Sequence, residues 1–429
     1  MASAQGLIDY IAAGPSPFHC VSETVRRLLL MGFSELDDAA PPVPVKPGDR
    51  GFVQRGGTLI AWHAGSEAPA EAGFRLVGAH TDSPNLRLKP ISEYTKEGYV
   101  QWGVEPYGGV LLATWTDRDL GLSGRVAFRH GAGVKTQLVR IERPIARIPN
   151  VAIHLNRKVN DEGLRLNKQT HMPPMVGLAG GLEEPGLLRA LLASEVGCEA
   201  DDLLSWDLGL HDVHQPALGG LNEEFVFAPR LDNQASCYTA LEALLAMSGP
   251  SRSTAIITLF DHEECGSGSE RGAASTLLRN VLVRLERDHD VRSAGGIERA
   301  VANSFMVSAD MAHGVHPNYA DKHDKHHRPM LNGGPVIKSN VNMRYATDAE
   351  TSAMFQAACS AAGAPVQQFV NRADLACGST IGPISASGLA IRSVDVGCAM
   401  LSMHSIREQA GSEDVAWMAS AKQQFLSNS

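Results

Sequence analysis

Apolar residues recur at helical spacing near the start of the chain, over Ala4–Ala13 and again over Val21–Met31. Pro15-Ser16-Pro17 separates the two stretches, so the pattern predicts two helices joined by a short break. Two apolar runs of strand length follow, Thr58–Trp62 and Phe74–His80. These runs predict the first strands of a sheet.

The pattern changes between residues 91 and 228, where short alternating runs are separated by glycine, aspartate and arginine. Such runs are typical of an antiparallel, β-rich unit. The predicted strands of this part are Val110–Trp115, Gly124–Phe128, Leu138–Ile141 and Val151–Leu155. The stretch Met172–Gly180 is rich in glycine and proline and predicts a loop.

Strand-like and helix-like patterns alternate after Arg230. Asn233–Met247 is amphipathic, and Thr254–Phe260 is a continuous apolar run typical of a strand buried on both faces. Asn303–Ser308 and Leu389–Val394 are similar strand candidates. The alternation predicts an α/β domain with a mixed, mostly parallel sheet flanked by helices. Residues 1–90 and 229–429 would form this domain, and residues 91–228 would form a β-rich insertion.

Composition excludes several classes of protein. With 44% hydrophobic and 20% charged residues among 429, the chain can form a packed core. A net charge of -9 argues against nucleic acid or a membrane surface as the main partner. A membrane-spanning segment is not expected, because no apolar run approaches the roughly 18 residues that it needs. A signal peptide is not expected either, because the N-terminus has no basic region and Asp9 interrupts its apolar stretch. Seven scattered cysteines without a CxxC pair are typical of reduced thiols, so we expect a cytoplasmic enzyme.

Acids and histidines follow the predicted strands at several points. Four predicted strands are followed by such residues: His80 and Asp82, Asp261 to Glu264, Asp310 with His313 and His316, and His404. Asp232 lies where a helix is predicted to begin. Strand ends of an α/β sheet meet at one edge, where so many carboxylates would repel one another unless cations neutralised them. Mixed histidine and carboxylate ligands suit zinc, cobalt or manganese, and five or more ligands predict a two-metal site.

Each of these residues also has a simpler interpretation. Asp232 is as consistent with a helix cap, His80 and His404 with ordinary buried histidines, and the two glutamates with solvated acids. The run His323–His327 is either a surface loop or part of the substrate entry. Other catalytic designs find less support, since GxSxG, HExxH and the GxxxxGK[ST] phosphate loop are absent.

Seven stretches together resemble the aspartyl aminopeptidases, metallo-exopeptidases with a co-catalytic zinc pair. They are Pro15-Ser-Pro-Phe-His19, Gly78-Ala-His-Thr-Asp-Ser-Pro84, Arg230-Leu-Asp-Asn233, Phe260-Asp-His-Glu-Glu264, Ser308-Ala-Asp-Met-Ala-His313 with His316-Pro-Asn-Tyr319, Cys377-Gly-Ser-Thr-Ile-Gly382 and Met403-His-Ser-Ile-Arg-Glu408. They span nearly the whole chain in the order of that family.

The resemblance implies a role for each matching residue. The implied ligands of two divalent ions, zinc first with cobalt or manganese as alternatives, are His80 and Asp310 for one ion, Glu264 and His404 for the other, and Asp232 between them. Glu263 would be the general base, and Asp82 would orient the first histidine. Tyr345 would stand at the oxyanion of the reaction.

The resemblance also implies a substrate and an assembly. Lys338 would bind the acidic side chain of the substrate, although a solvated lysine is as consistent with the local sequence. His313 is a second substrate-binding candidate, and His154 would enter a neighbouring subunit's site from an inserted dimerisation domain. The family forms tetrahedral dodecamers from dimers.

The predicted enzyme therefore removes N-terminal Asp or Glu from small peptides through a water activated by a zinc pair. Two alternatives stay open. One is a related two-zinc hydrolase with another N-terminal or acyl-amide specificity. The other is a non-catalytic assembly protein that retained the fold.

Overall fold

The structure, a computed structural model, describes residues 2–40, 44–180, 186–287 and 295–427. The helices of these residues are α1 Ala4–Ala13, α2 Pro17–Leu30, α3 Pro69–Ala72, α4 Val159–Glu162, α5 Leu187–Val196, α6 Leu231–Leu245, α7 Leu277–Arg287, α8 Gly296–Ala302, α9 Ala349–Ala361, α10 Ile381–Leu389 and α11 Asp414–Ser427.

The strands of the same residues, in chain order, are β1 Ser34–Glu35, β2 Arg50–Arg55, β3 Thr58–His63, β4 Phe74–His80, β5 Asn85–Lys96, β6 Tyr99–Tyr107, β7 Leu120–His130, β8 Gly133–Ala146, β9 Met175–Leu178, β10 Leu203–Asp212, β11 Ala217–Gly219, β12 Phe225–Ala228, β13 Thr254–Phe260, β14 Phe305–Ala309, β15 Ala312–His313, β16 Val336–Ser339, β17 Gln367–Val370, β18 Arg392–Gly397, β19 Ala399–Leu401 and β20 Glu408–Gly411.

Two compact units divide the chain. The first unit consists of Met1–Asp82, Pro216–Met403 and Glu408–Ser429, and the second of Ser83–Gln215 and His404–Arg407. In the structure β5 already belongs to the second unit, whereas β11 and β12 belong to the first. The three-segment division at residues 90 and 228 stays a prediction.

The first unit is organised around a mixed sheet. Among the described residues this sheet has nine strands in the order β1-β2-β3-β13-β4-β14-β18-β16-β17. The four neighbours β13, β4, β14 and β18 run parallel to one another. The register pairs His80 with Phe260, and Ser308 with both Gly78 and Asp395, so the carboxyl ends of these strands meet at one edge. The predicted α/β fold with a mixed, mostly parallel sheet is confirmed.

Both faces of this sheet are buried, because successive side chains of a strand point to opposite faces. Along β4, Val77 and Ala79 belong to a core that includes residues of α6 and α11. Phe74 and Leu76 belong to a second core, which includes residues of α7. Strand β13 is buried at all seven positions for the same reason.

A smaller sheet also belongs to the first unit. Within the described residues it has five strands, in the order β11-β12-β20-β19-β15. Two strand ends of this sheet carry residues that are discussed below: β20 begins with Glu408, and β15 ends with His313.

The second unit has a sheet of its own, and the part that the structure describes has six strands in the order β8-β7-β10-β5-β6-β9. All neighbours in this sheet are antiparallel. Its core includes Leu122, Trp102 and Leu192. The predicted antiparallel, β-rich insertion is confirmed, and its role in dimerisation stays a prediction.

The local predictions succeed where a strand is buried on both faces: β4 and β13 have the predicted bounds, and β3 extends the predicted strand by one residue. Helix α2 begins four residues earlier than predicted. The Ser16 side chain accepts a hydrogen bond from the His19 backbone, and Pro17 takes the first helical position, where its missing N–H costs nothing.

Other local predictions are wrong. Leu112–Trp115 forms a short 3-10 turn rather than a strand, and residues 151–155 form an exposed turn closed by a bond from Leu155 N–H to the Ala152 carbonyl. The predicted loop at 172–180 contains strand β9, which pairs with β6. Strand formation depends on finding a partner strand, which a local pattern does not reveal.

No helix among the described residues is long and apolar enough to cross a membrane.

Candidate metal centre

His80, the last residue of β4, lies at the centre of a buried group of acids. Its Nε2 is 3.4 Å from an Asp232 carboxylate oxygen and 3.4 Å from an Asp310 carboxylate oxygen. Its Nδ1 donates to the Asp82 carbonyl at 3.0 Å, so Nε2 is the nitrogen directed at the carboxylates. Burial lowers the pKa of His80, but the contacts with Asp232 and Asp310 outweigh burial and raise this pKa well above its usual value.

Asp82 connects β4 to the loop that follows β13. Its two carboxylate oxygens accept the backbone N–H groups of Glu263 and Glu264, each at 3.1 Å. Asp82 is fully buried, so these charge-assisted bonds are shielded from water. They fix the backbone from which both glutamates project.

The two glutamates share this edge of the sheet. Glu263 Oε2 is 3.9 Å from His80 Nε2. Burial and the nearby charges of Asp310 and Asp82 raise the pKa of Glu263 to about 7, against the opposing effect of His80. Burial, followed by the Asp232 charge, raises the pKa of Glu264 well above its usual value. These carboxylates therefore carry mutual repulsion that a bound cation would relieve.

Asp232 lies in an irregular first turn of α6. Its φ of -82° and ψ of 104° are not helical, and Arg230 occupies the N-cap position with a φ of 57°. These dihedral angles are extended, as those of a helix N-cap also are, so the alternative in which Asp232 caps the regular part of α6 stays open. The Asp232 backbone N–H donates to Glu408 Oε2 at 3.0 Å. Sequence reasoning gave Glu408 no role, although this residue ends the stretch that begins with Met403.

Lys338, on β16, lies against Asp310. Its amino group donates to the Asp310 carbonyl at 2.9 Å and to the Met311 carbonyl at 3.2 Å, and it is 3.5 Å from Asp310 Oδ2. The residue is 1% exposed, so the simpler interpretation as a solvated lysine is wrong. Its charge offsets that of Asp310.

Tyr345 covers this lysine. The ring centroid is 5.1 Å from Lys338 Nζ and 6.5 Å from the Phe369 ring. Burial, followed by the charge of Cys377, raises the pKa of Tyr345 well above its usual value. The phenol therefore keeps its proton at neutral pH and can donate a hydrogen bond.

The sequence also predicts site roles for three further histidines. His313 ends β15, with its ring 5.9 Å from that of Phe369. His404 belongs to the second unit, where its Nδ1 donates to the Gly109 carbonyl at 3.1 Å and its Nε2 carries the lone pair of a neutral ring. His154 lies in the exposed turn at 151–155 of the same unit.

The first unit thus offers a donor set that fits zinc. Potential ligand atoms of His80, Asp232 and Asp310, and likewise of His80, Glu263 and Glu264, lie within 4.8 Å of one another. Two atoms bound tetrahedrally to zinc at about 2.0–2.1 Å are about 3.4 Å apart, which is the separation of His80 Nε2 from its two aspartates. Mixed imidazole and carboxylate donors are also the ligands that zinc accepts.

Comparison with known proteins decides the family. The family described as Aminopeptidase I zinc metalloprotease (M18) matches residues 10–426. This chain belongs to the M18 family of zinc metallo-aminopeptidases. A probable M18 family aminopeptidase 2 of Azotobacter vinelandii is 48% identical over 429 residues, covering 99% of this chain and 98% of the relative. The predicted resemblance and the predicted enzyme class are confirmed.

Solved M18 structures share the fold. The structure of the Ape4 and Nbr1 complex superimposes with a TM-score of 0.96 at 37% identity, covering 99% of this chain and 85% of the other. The mApe1 dodecamer of S. cerevisiae has a TM-score of 0.86 at 30% identity, covering 99% and 96%. The likeness to these solved structures therefore covers 99% of this chain.

Proposed function

We propose that this M18 aminopeptidase removes N-terminal Asp or Glu from peptides, with water activated by two zinc ions. The observation that carries the proposal is the convergence of five acids on the buried His80 at the carboxyl edge of the sheet, with the Lys338 cation beside it. When bound, zinc polarises the scissile carbonyl and lowers the pKa of water.

The proposed ligands divide between two ions. His80 and Asp310 would hold one ion, and Glu264 and His404 the other. Asp232 would bridge them, which is supported by its 3.4 Å separation from His80 Nε2 and by the backbone bond that fixes it to Glu408. Asp82 would orient the first histidine through Nδ1, the usual task of a residue behind a ligand.

Glu263 is proposed as the general base. It would take a proton from the attacking water and pass it to the leaving amine, which must be protonated to depart. Its carboxylate is 3.9 Å from His80 Nε2 and therefore lies beside the proposed ligands. Its backbone is tied to Asp82, which keeps the carboxylate close to the proposed ions. Tyr345, protonated and buried, would donate to the oxyanion.

The acidic specificity is proposed to come from Lys338, with His313 as a second contact. A buried lysine in contact with Tyr345 would pair strongly with a substrate carboxylate, because few waters compete there. A two-zinc hydrolase that accepts another N-terminal residue or an acyl-amide is the alternative, and it would use the same zinc-binding residues.

The enzyme is proposed to act as a cytoplasmic homo-oligomer of dimers, as large as a dodecamer. The mApe1 dodecamer supports this assembly. So do Val151, Ile153 and Leu155, which are 62%, 46% and 83% exposed in the turn that carries His154. Exposed apolar side chains grouped in this way are typical of an interface, and there His154 would enter a neighbouring site. None of the seven cysteines forms a disulfide in the described residues, which supports a reducing compartment.

Hydrolysis of Asp-, Glu-, Leu- and Lys-p-nitroanilide, with and without a chelator, tests the function. We expect rapid turnover of the acidic substrates, none in chelator, and recovery with zinc, cobalt or manganese. Lys338→Met should reduce turnover of the Asp substrate more than that of the Leu substrate. Comparable rates for all four substrates would refute the acidic specificity, and full activity in chelator after dialysis would refute the zinc mechanism.

A further inference from the structure

A cavity of about 310 Å³ lies within the first unit, next to the candidate site. Its walls come from three segments, residues 313–323, 369–378 and 400–403. Among the described residues, no carboxylate lines it, whereas two cations and three histidines do: His313, His316, Lys322, His323 and Arg372. Such a wall is unusual in a chain with a net charge of -9, and it favours an anionic occupant.

The cavity adjoins the residues proposed to bind the substrate. His313, in its wall, is three residues after Asp310, and its ring is 5.9 Å from Phe369, also in the wall. The Phe369 ring is 6.5 Å from Tyr345, which covers the Lys338 amino group. Lys338 itself is not part of the wall that the described residues form. The cavity and the buried lysine are therefore neighbouring but separate cationic positions.

Arg372 is held in a fixed orientation. Its Nε and one terminal nitrogen donate to the two Asp374 oxygens, each at 2.7 Å, and the other terminal nitrogen donates to the Asp321 carbonyl. These bonds use three of the five guanidinium N–H groups. Both ion pairs are exposed to water, since the Asp374 and Asp321 side chains are 61% and 69% exposed, so they neutralise Arg372 and Lys322 only in part. Lys322, 3.8 Å from Asp321, adds a second positive charge to the wall.

The histidines add neutral donors. His316 Nδ1 accepts from the Asn318 backbone at 3.2 Å, and His323 Nε2 accepts from the His316 backbone at 3.4 Å. Each neutral ring then has its proton on the other nitrogen, His316 Nε2 and His323 Nδ1. The run His323–His327 thus has two parts. His323 lines the cavity, whereas His327 pairs with Asp324 at 2.7 Å.

We propose that this cavity receives the acidic side chain of the peptide's second residue. The proposal rests on the proposed function, in which Lys338 binds the first residue. Consecutive side chains of an extended peptide point in opposite directions, so the first two residues need two separate pockets. The cavity is also larger than a single carboxylate requires and falls at the lower end of the size range of ligand pockets. Arg372 and Lys322 supply the charge, and the two histidines supply the hydrogen bonds.

Dipeptide amides that differ only at the second residue test the proposal with the full-length, zinc-loaded enzyme. The pairs are X-Asp-amide and X-Asn-amide, with X as Asp, Glu, Leu or Lys, and release of X is measured. For the best X, we expect kcat/KM to favour Asp over Asn at the second position roughly five-fold at low salt, since partly exposed ion pairs are modest. Lys322→Gln combined with Arg372→Gln should bring this ratio to about one.

Arg392→Gln is the matched control. Both arginines are partly exposed and ion-paired: Arg392 is 41% exposed and pairs with Glu350 at 2.8 Å, and Arg372 is 39% exposed and pairs with Asp374. Arg392, however, begins β18, whose other end lies at the candidate site. This control should retain the five-fold ratio. The ratio is measured with whichever first residue is best, so a failure of acidic specificity at the first position leaves the test intact.

Three results would overturn the proposal. One is a ratio near one in the wild type, and another is an unchanged ratio in the double variant. The third is a double variant that loses selectivity for the first residue instead, because the cavity would then belong to that residue. A wild-type ratio of one, together with inhibition by inorganic phosphate in the wild type but not in the double variant, would assign the cavity to free anions.

Discussion

The carboxylate of Glu408 accepts the backbone N–H of Asp232, with 3.0 Å between Oε2 and the amide nitrogen. The two residues are 176 positions apart in the chain and are 2% and 3% exposed. Asp232 lies in the non-helical turn of α6, where a backbone donor needs a partner outside the helix. Glu408 provides this partner and so fixes the residue proposed to bridge the two ions.

Glu408→Ala should therefore weaken zinc binding without removing any proposed ligand. Residues that orient ligands typically change metal affinity by about 10- to 100-fold. Glu408→Gln keeps an acceptor oxygen and should lose less. Competition with a chromogenic chelator measures the affinity, and circular dichroism checks the fold. A folded alanine variant that binds zinc as tightly as the wild type would contradict the proposed dependence.

The neighbouring glutamates should respond differently to the same substitution. Glu263→Gln should retain zinc and lose roughly 10²- to 10⁴-fold in kcat, because an amide of the same shape cannot take the proton. Glu264→Gln should lose zinc, because a ligand becomes a weaker donor. Metal content by mass spectrometry and kcat are measured on both variants, each serving as the other's control. The opposite result would reverse the two assignments.

His154 can be tested by subunit mixing. If it enters a neighbouring site, His154→Ala and Glu263→Gln will each be inactive alone, while mixed oligomers will contain some sites with both wild-type residues. Partial recovery of activity is expected after the two variants are dissociated and reassembled together. Native mass spectrometry verifies the exchange of subunits. Verified exchange without recovery would mean that each site is self-contained.

Asp414, at the start of α11, should make stability depend on pH. It accepts the N–H groups of Asn332 and Gly334 at 2.8 Å each, and burial raises its pKa to about 6. Because the folded-state pKa is raised, the protonated carboxyl stabilises the fold below about pH 4, and this stabilisation is lost as the pH rises to about 6.

Relative to Asp414→Asn, the unfolding free energy of the wild type should therefore decrease across this window, by up to about 3 kcal/mol. Urea unfolding of both proteins at several pH values measures the difference. The acids of the candidate metal centre titrate in both proteins, so the comparison isolates Asp414. If the unfolding free energies of the wild type and Asp414→Asn changed in parallel with pH, the pKa of Asp414 would not be raised by folding.

Sequence alone could predict the parts of the fold where local pattern and tertiary environment agree. The β13 run has seven apolar or β-branched residues, and a strand buried on both faces requires such a run. The last strand candidate, Leu389–Val394, begins three residues before the strand of the structure. Leu389 ends helix α10, Ala390 adopts a left-handed φ of 55°, and β18 begins at Arg392. Glycine usually marks such a helix end, and alanine gives no signal of it.

Some residues of the candidate site could likewise be predicted from the sequence, and others could not. Acids that directly follow neighbouring parallel strands, such as Asp310 after β14, could be predicted because the topology of a parallel sheet brings strand ends together. The contact of Glu408 with Asp232 and the burial of Lys338 against Asp310 depend on the small sheet and on β16, whose positions no local pattern reveals. Such contacts between distant segments arise only once the whole unit is packed.

The position of β4 has a consequence for the metal-free enzyme. In the described sheet this strand has four strands on either side, and His80 ends it. Backbone in the middle of such a sheet opens only when most of the domain opens, unlike fraying edges. The backbone of His80 should therefore stay in place when a chelator removes zinc. Loss and return of the ion should then be reversible without unfolding of the sheet.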